Sequence, residues 1–250
     1  MNGFPFPDGD SFWLMASVVA FVGVSRSGFG GAGGILAVPM MALFLPAREA
    51  AGLLLPIMIF SDVFVVWHYR HRVDWRQIRR LIPGTLAGIL IGAATLQMTD
   101  NTTLRRILGA LCLLFVLIQL LREGILKMEE TLKPGPGMAT ILGALAGYTS
   151  TLAHAGGPVM AMYLLPQHLD PQVFIGTNIT YFALGNLIKL PIYIHQGMVS
   201  LPSLYGSLWM APFMLLGTGL GVWINDRVSK KWFVTTVYIL LFFAGIRLLL

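Results

Sequence analysis

Six stretches of the chain are almost continuously apolar: 50–67, 81–98, 104–121, 173–194, 204–224 and 232–250. A helix crossing lipid needs about 20 such residues at about 1.5 Å rise each. The runs are long and unbroken rather than alternating with period two, which predicts helices and argues against strands. Two further apolar stretches are interrupted. Residues 12–24 lead into Ser25-Arg26-Ser27-Gly28-Phe29-Gly30-Gly31-Ala32-Gly33-Gly34, then 35–45. Residues 138–148 lead into Thr149-Ser150-Thr151-Leu152-Ala153-His154-Ala155-Gly156-Gly157, then 158–165. Each half-run covers about half a bilayer. The small and polar residues that join them are poor helix formers. A broken or re-entrant helix pair is therefore expected twice.

The pattern repeats. Ala32-Gly33-Gly34 matches Ala155-Gly156-Gly157 at an offset of 123, while Gly52 matches Gly176 and Asp62 matches Asn186, both at 124. Gly88 and Gly92 match Gly217 and Gly221 at 129, and Arg105-Arg106 match Lys230-Lys231 at 125. This predicts a first transmembrane repeat at 12–122, a solvated linker at 123–137 on the cytoplasmic side, and a second repeat at 138–250. Each repeat is a broken or re-entrant pair followed by three transmembrane helices, a design common among secondary transporters.

The basic residues choose between two arrangements. If the broken elements span fully, the halves are parallel. If they are re-entrant, the halves are inverted. The loop 68–80 carries five arginines, whereas its repeat mate, 195–202, has no formal charge. The positive-inside rule then favours inverted repeats with both termini outside.

Composition sets the solvent. Hydrophobic residues make up 56% and charged residues 11%, against roughly 25% charged in soluble domains. So few charges cannot clothe a water-exposed surface, which excludes a soluble enzyme and a nucleic-acid binder. The net charge of +6 reads as loop charge that holds a membrane topology. The expected class is an all-α polytopic membrane protein in the lipid bilayer of a bacterial inner membrane. Residues 1–11 carry Asp8 and Asp10 but no basic residue, so the chain reads as mature from residue 1. Cys112 is the single cysteine. With no CxxC or Cys/His cluster, no metal or cofactor is expected.

The candidate chemistry lies at the two tips and on a few in-span polar residues. Gly30, Gly31, Gly33 and Gly34 in the first tip, and Gly156 and Gly157 in the second, permit close backbone approach. Half-helices that begin near Ile35 and Pro158 would aim their positive ends at the bilayer centre, which suits an anion. The competing role is tight helix packing, the expected one for Gly84, Gly88, Gly92, Gly217 and Gly221. Arg26, beside Ser27, offers a forked donor to an oxyanion; its alternative is an ion pair with Asp62 that locks the bundle. His154 is a candidate for anion binding or proton relay, or is a hydrogen-bonded structural residue. Asp62 and His154 are the coupling candidates. Asn178, Asn186 and Lys189, spaced 8 and 3 apart, form a polar stripe on one helix to which Thr177 and Thr180 add polarity, lining a cavity or joining helices. Lys189 lies near the end of that helix, where it also has the option to snorkel.

The segment Ser27-Gly28-Phe29-Gly30-Gly31-Ala32-Gly33-Gly34-Ile35-Leu36-Ala37-Val38-Pro39, with Leu152 to Pro158, Gly176-Thr177-Asn178 and Asn186-Leu187-Ile188-Lys189, resembles the TauE/SafE family of sulfite exporters. That family is also called the toluene-sulfonate uptake permease family. The resemblance extends over nearly the whole chain. It implies transport of a small sulfur-containing anion such as sulfite, a sulfonate or sulfoacetate, without ATP. Arg26 departs from the small or apolar residues expected at its position. The other classes to be weighed are a membrane assembly protein without transport and an intramembrane enzyme. The enzyme is disfavoured because HExxH, GxSxG and Walker patterns are missing.

Overall fold

The computed structural model describes residues 9–28, 34–124, 134–224 and 230–250. They form α-helices and short 3₁₀ turns, with no strand among the described residues. The first half holds α1 (Gly9–Gly28), a 3₁₀ turn at Gly34–Leu36, α2 (Ala37–Met41), α3 (Ala47–Tyr69), α4 (Trp75–Met98) and α5 (Asn101–Gly124). The second holds α6 (Pro136–Ala153), α7 (Gly157–Leu164), a 3₁₀ turn at Leu165–Gln167, α8 (Pro171–His195), α9 (Leu201–Ile224) and α10 (Lys230–Leu249). All six continuous apolar runs are helices. Four helices meet the length and hydropathy of a membrane span: α3, α4, α8 and Asn101–Ile118 of α5.

Aspartates start three of the long helices. Asp74 accepts from the Arg76 and Gln77 amides at 3.0 and 3.3 Å. Asp100 accepts from the Thr102 and Thr103 amides, and Asp170 from the Gln172 amide. Each satisfies donors that the first helical turn leaves free.

Both broken elements turn later than the composition suggests. α1 continues through Ser25, Arg26 and Ser27 to Gly28, and α6 continues through Thr149, Ser150 and Thr151 to Ala153. The hydroxyls explain the second case. Thr149 Oγ1 donates to the Leu145 carbonyl and Thr151 Oγ1 to the Gly147 carbonyl, both at 2.8 Å. These polar side chains satisfy themselves four residues back and stay helical. Gly30, Gly31 and Gly33 of the first tip, and most of the 123–137 linker, lie outside the described residues.

Large apolar side chains face outward, while a few polar and charged side chains are held inside. Trp13, Trp67, Leu90, Trp209 and Phe243 are exposed, while Asp62, Lys189, Asn186 and His154 are buried. That inversion of a soluble protein is what lipid as solvent requires.

The halves exchange helices. α1 lies along α9 and α6 along α4, while α3 packs on α8 and α5 on α10. Several of the close contacts come in corresponding pairs. A Cβ on Gly88 would overlap the Ala144 backbone, and a Cβ on Gly217 the Ala20 backbone. Gly52 presses likewise on Met198, and its repeat mate Gly176 on Arg72. Glycine here brings backbones together where lipid supplies no hydrophobic drive.

Candidate functional site

Three helices converge on Asp62. Arg26, in the last turn of α1, places Nη2 2.6 Å from Asp62 Oδ1, midway along α3. Asn186 of α8 donates from Nδ2 to the other carboxylate oxygen at 2.8 Å. The ion-pair role is therefore realised in the structure. Asp62 and Asn186 are the residues matched in the sequence at an offset of 124. The contact joins α3 of the first half of the chain to α8 of the second. Two donors in this region remain unspent. Arg26 Nη1 and Ser25 Oγ are buried and have no partner among the described residues. Such groups favour a ligand that accepts from them, because a buried unmet donor costs about 1–3 kcal/mol.

One turn further along α8, Lys189 is fully buried. Its Nζ lies 3.2 Å from the Ser150 carbonyl, 3.1 Å from Ser150 Oγ and 3.2 Å from His154 Nδ1. The snorkelling option is thus overturned: the ammonium turns inward to the end of α6. His154 closes that helix with a left-handed φ of 51°. Its amide donates to the Ser150 carbonyl at 3.0 Å, and the Ala155 amide to the Thr149 carbonyl at 3.2 Å. The first is the 5→1 bond of a helix that ends in a left-handed residue. His154 Nε2 lies 3.3 Å from the Ala51 carbonyl of α3. Tyr193 donates to the Thr151 carbonyl and ties α8 to the same turn.

The two tips meet here. A Cβ built on Gly34 would sit 3.6 Å from the His154 carbonyl oxygen and 3.9 Å from Arg26 Cγ. After His154 the chain folds back on α6: a Cβ on Gly156 would lie 2.9 Å from the Ala146 carbonyl oxygen. α7 then starts at Gly157. Pro158 in its first turn has no amide to satisfy.

The structure thus gathers Arg26, Asp62, Asn186, Gly34, His154, Gly156 and Lys189 around the meeting point. Thr177 serves elsewhere: its Oγ1 accepts from the Asp74 amide at 2.8 Å, tying the start of α8 to the α3–α4 turn. Asn178 is buried, about 12 Å along the helix axis from Asn186. Ser27 lies in the last turn of α1. Ser25 and Ser150 were not singled out in the sequence, though both stand in the tip segments at an offset of 125. Their place in the tip segments, near Arg26 and His154, was the available signal.

The whole-chain comparison decides what this centre belongs to. Residues 15–248 match the family model described as Sulfite exporter TauE/SafE. The chain belongs to the TauE/SafE family. No curated protein and no solved structure matches it. Membership of the TauE/SafE family implies a membrane transporter of sulfur anions.

Proposed function

We propose that this protein is a secondary transporter that moves a small sulfur-containing anion, of the sulfite, sulfonate or sulfoacetate class, by alternating access. The two halves, 12–122 and 138–250, act as inverted repeats, and the substrate sits near the midplane where their tips meet. The observation that carries this reading is the convergence of two basic side chains from different halves of the chain, the partly buried Arg26 and the fully buried Lys189, near the junction of the tips.

The residues divide the work. Arg26 Nη1 and Ser25 Oγ supply donors to the oxyanion, and Gly34 lets the chain approach it without side-chain bulk. Asp62 and Asn186 hold the guanidinium in place, as an outer layer of hydrogen bonds does at a well-oriented site. The amino end of α7 adds partial positive charge of about half a unit at most. Rocking one half against the other around this centre then exposes it to each side in turn. The reciprocal packing of α1 on α9 and α6 on α4 supports such a motion.

A thermal-shift series tests the reading. A ligand that binds the folded state at a hundred times its Kd stabilises it by about 2.7 kcal/mol. Hydrogensulfite, methanesulfonate and sulfoacetate should raise the Tm of the purified protein, while acetate at equal ionic strength should not. An identical response to all four would favour a membrane assembly protein whose polar core serves packing alone.

A further inference from the structure

Lys189 has no carboxylate partner among the described residues, although it is fully buried. Its three contacts are all neutral: the Ser150 carbonyl, the Ser150 hydroxyl and His154 Nδ1. That set satisfies either charge state. As an ammonium, Lys189 has three N–H groups and three acceptors. As a neutral amine, it donates to the Ser150 carbonyl and to His154 Nδ1, and its lone pair accepts from the Ser150 hydroxyl. Only a rotation of that hydroxyl separates the two states.

Asp62 and His154, the coupling candidates read from the sequence, are both committed. Asp62 has Arg26 on one oxygen and Asn186 on the other. His154 donates Nε2–H to the Ala51 carbonyl, which leaves Nδ1 as the bare nitrogen facing Lys189. A second proton on Nδ1 would collide with the N–H that points at it, so Lys189 and His154 together hold one extra proton. The remaining titratable groups nearby are spent. Tyr193 donates to the Thr151 carbonyl, Tyr181 pairs with Thr85, and Tyr163 donates to Gln77.

We propose that Lys189 is the proton-carrying residue of the transporter, and that it takes up one proton with each monovalent anion. This rests on the transport reading above. The charge balance follows from the neighbours. Arg26 and Asp62 cancel, so protonating Lys189 leaves one uncompensated positive charge in a dry interior. Such a charge is costly alone and is relieved by an anion beside it. The proton that adds to Nζ therefore favours the anion, and the anion favours the proton, by the same factor. A monoanion such as hydrogensulfite or a sulfonate leaves the loaded centre neutral, whereas a dianion leaves it negative.

Methanesulfonate is a suitable probe, because it stays a monoanion across the working pH range. Its binding to the purified protein is measured by calorimetry from pH 6 to 9, in two buffers of different ionisation enthalpy. Wild type is expected to take up as much as one proton per anion, and its affinity is expected to fall tenfold per pH unit on the alkaline limb. Lys189→Arg, which keeps a permanent charge, should bind with affinity independent of pH. Lys189→Gln should bind weakly and take up no proton. If Lys189→Gln fails to fold, wild type and Lys189→Arg still decide. Binding without proton uptake in wild type, or a wild-type pH slope in Lys189→Arg, would overturn the assignment and leave the transport reading intact. No binding of methanesulfonate or hydrogensulfite by wild type would overturn both.

Discussion

A guanidinium 2.6 Å from a buried carboxylate serves two purposes that mutation can separate. Arg26→Ala strands Asp62 with Asn186 as its one side-chain partner, and breaking a buried pair costs about 3–5 kcal/mol. Arg26→Ala combined with Asp62→Asn removes the stranded charge and should recover most of the Tm. Affinity should behave differently. Hydrogen bonds from a charged donor are worth about 1.5–3 kcal/mol, or roughly ten- to a hundredfold in Kd. Both variants should therefore bind methanesulfonate that much more weakly, and Arg26→Lys should recover part of the loss. A double variant that regains stability and binds like wild type would make Arg26 a scaffold residue. The scarcity of charge inside apolar runs made Arg26, Asp62, His154 and Lys189 legible as a set. The Arg26–Asp62 pair was legible as an alternative, but the contacts of α8 were not, because they depend on how α8 is rotated against α3 and α6. One turn of α8 sends Asn186 to Asp62 and Lys189 to His154, and no spacing along the chain encodes that choice.

The same contrast between spacing and contact governs the helices. Gly88 faces the Ala144 backbone, so a side chain there forces α4 and α6 apart. Gly185 on α8 has nothing within 4 Å of where its Cβ would lie. Gly88→Leu should abolish the folded, monodisperse species in size-exclusion chromatography. Gly185→Ala should keep it with an unchanged or raised Tm, since alanine favours a helix by about 1 kcal/mol over glycine. At the start of α5, bonds from the Thr103 hydroxyl and amide hold the exposed Asp100 carboxyl below its ordinary range. A depressed pKa means that this cap stabilises fully above the usual carboxylate range and is lost as pH falls through the lowered value. Asp100→Asn should flatten the acid limb of a Tm-against-pH curve, which would stay as steep as in wild type if the cap contributed nothing. Element type was legible from the apolar runs. The ends of α1 and α6 were not, because Thr149 and Thr151 bond back into their own helix and so do not break it.

Across the whole molecule, helices of the first half of the chain pack against helices of the second. The matched glycines and the Asp62–Asn186 offset are sequence signals of a repeat. The exchange of helices was not legible, since it brings together residues with no local signal of contact. Inverted halves make a direct prediction about sidedness. In a Cys112→Ser background, single cysteines at His71 and Ser200, both exposed, should label from opposite faces of the membrane, with Leu250 on the face of Ser200. Labelling of 71 and 200 from one face would require parallel halves. Transport itself is the central claim, and flux tests it most directly. Proteoliposomes loaded with unlabelled methanesulfonate should accumulate ³⁵S-hydrogensulfite in a saturable counterflow that Arg26→Ala slows. Uptake no faster than in empty liposomes, with the wild-type protein folded and inserted, would contradict it.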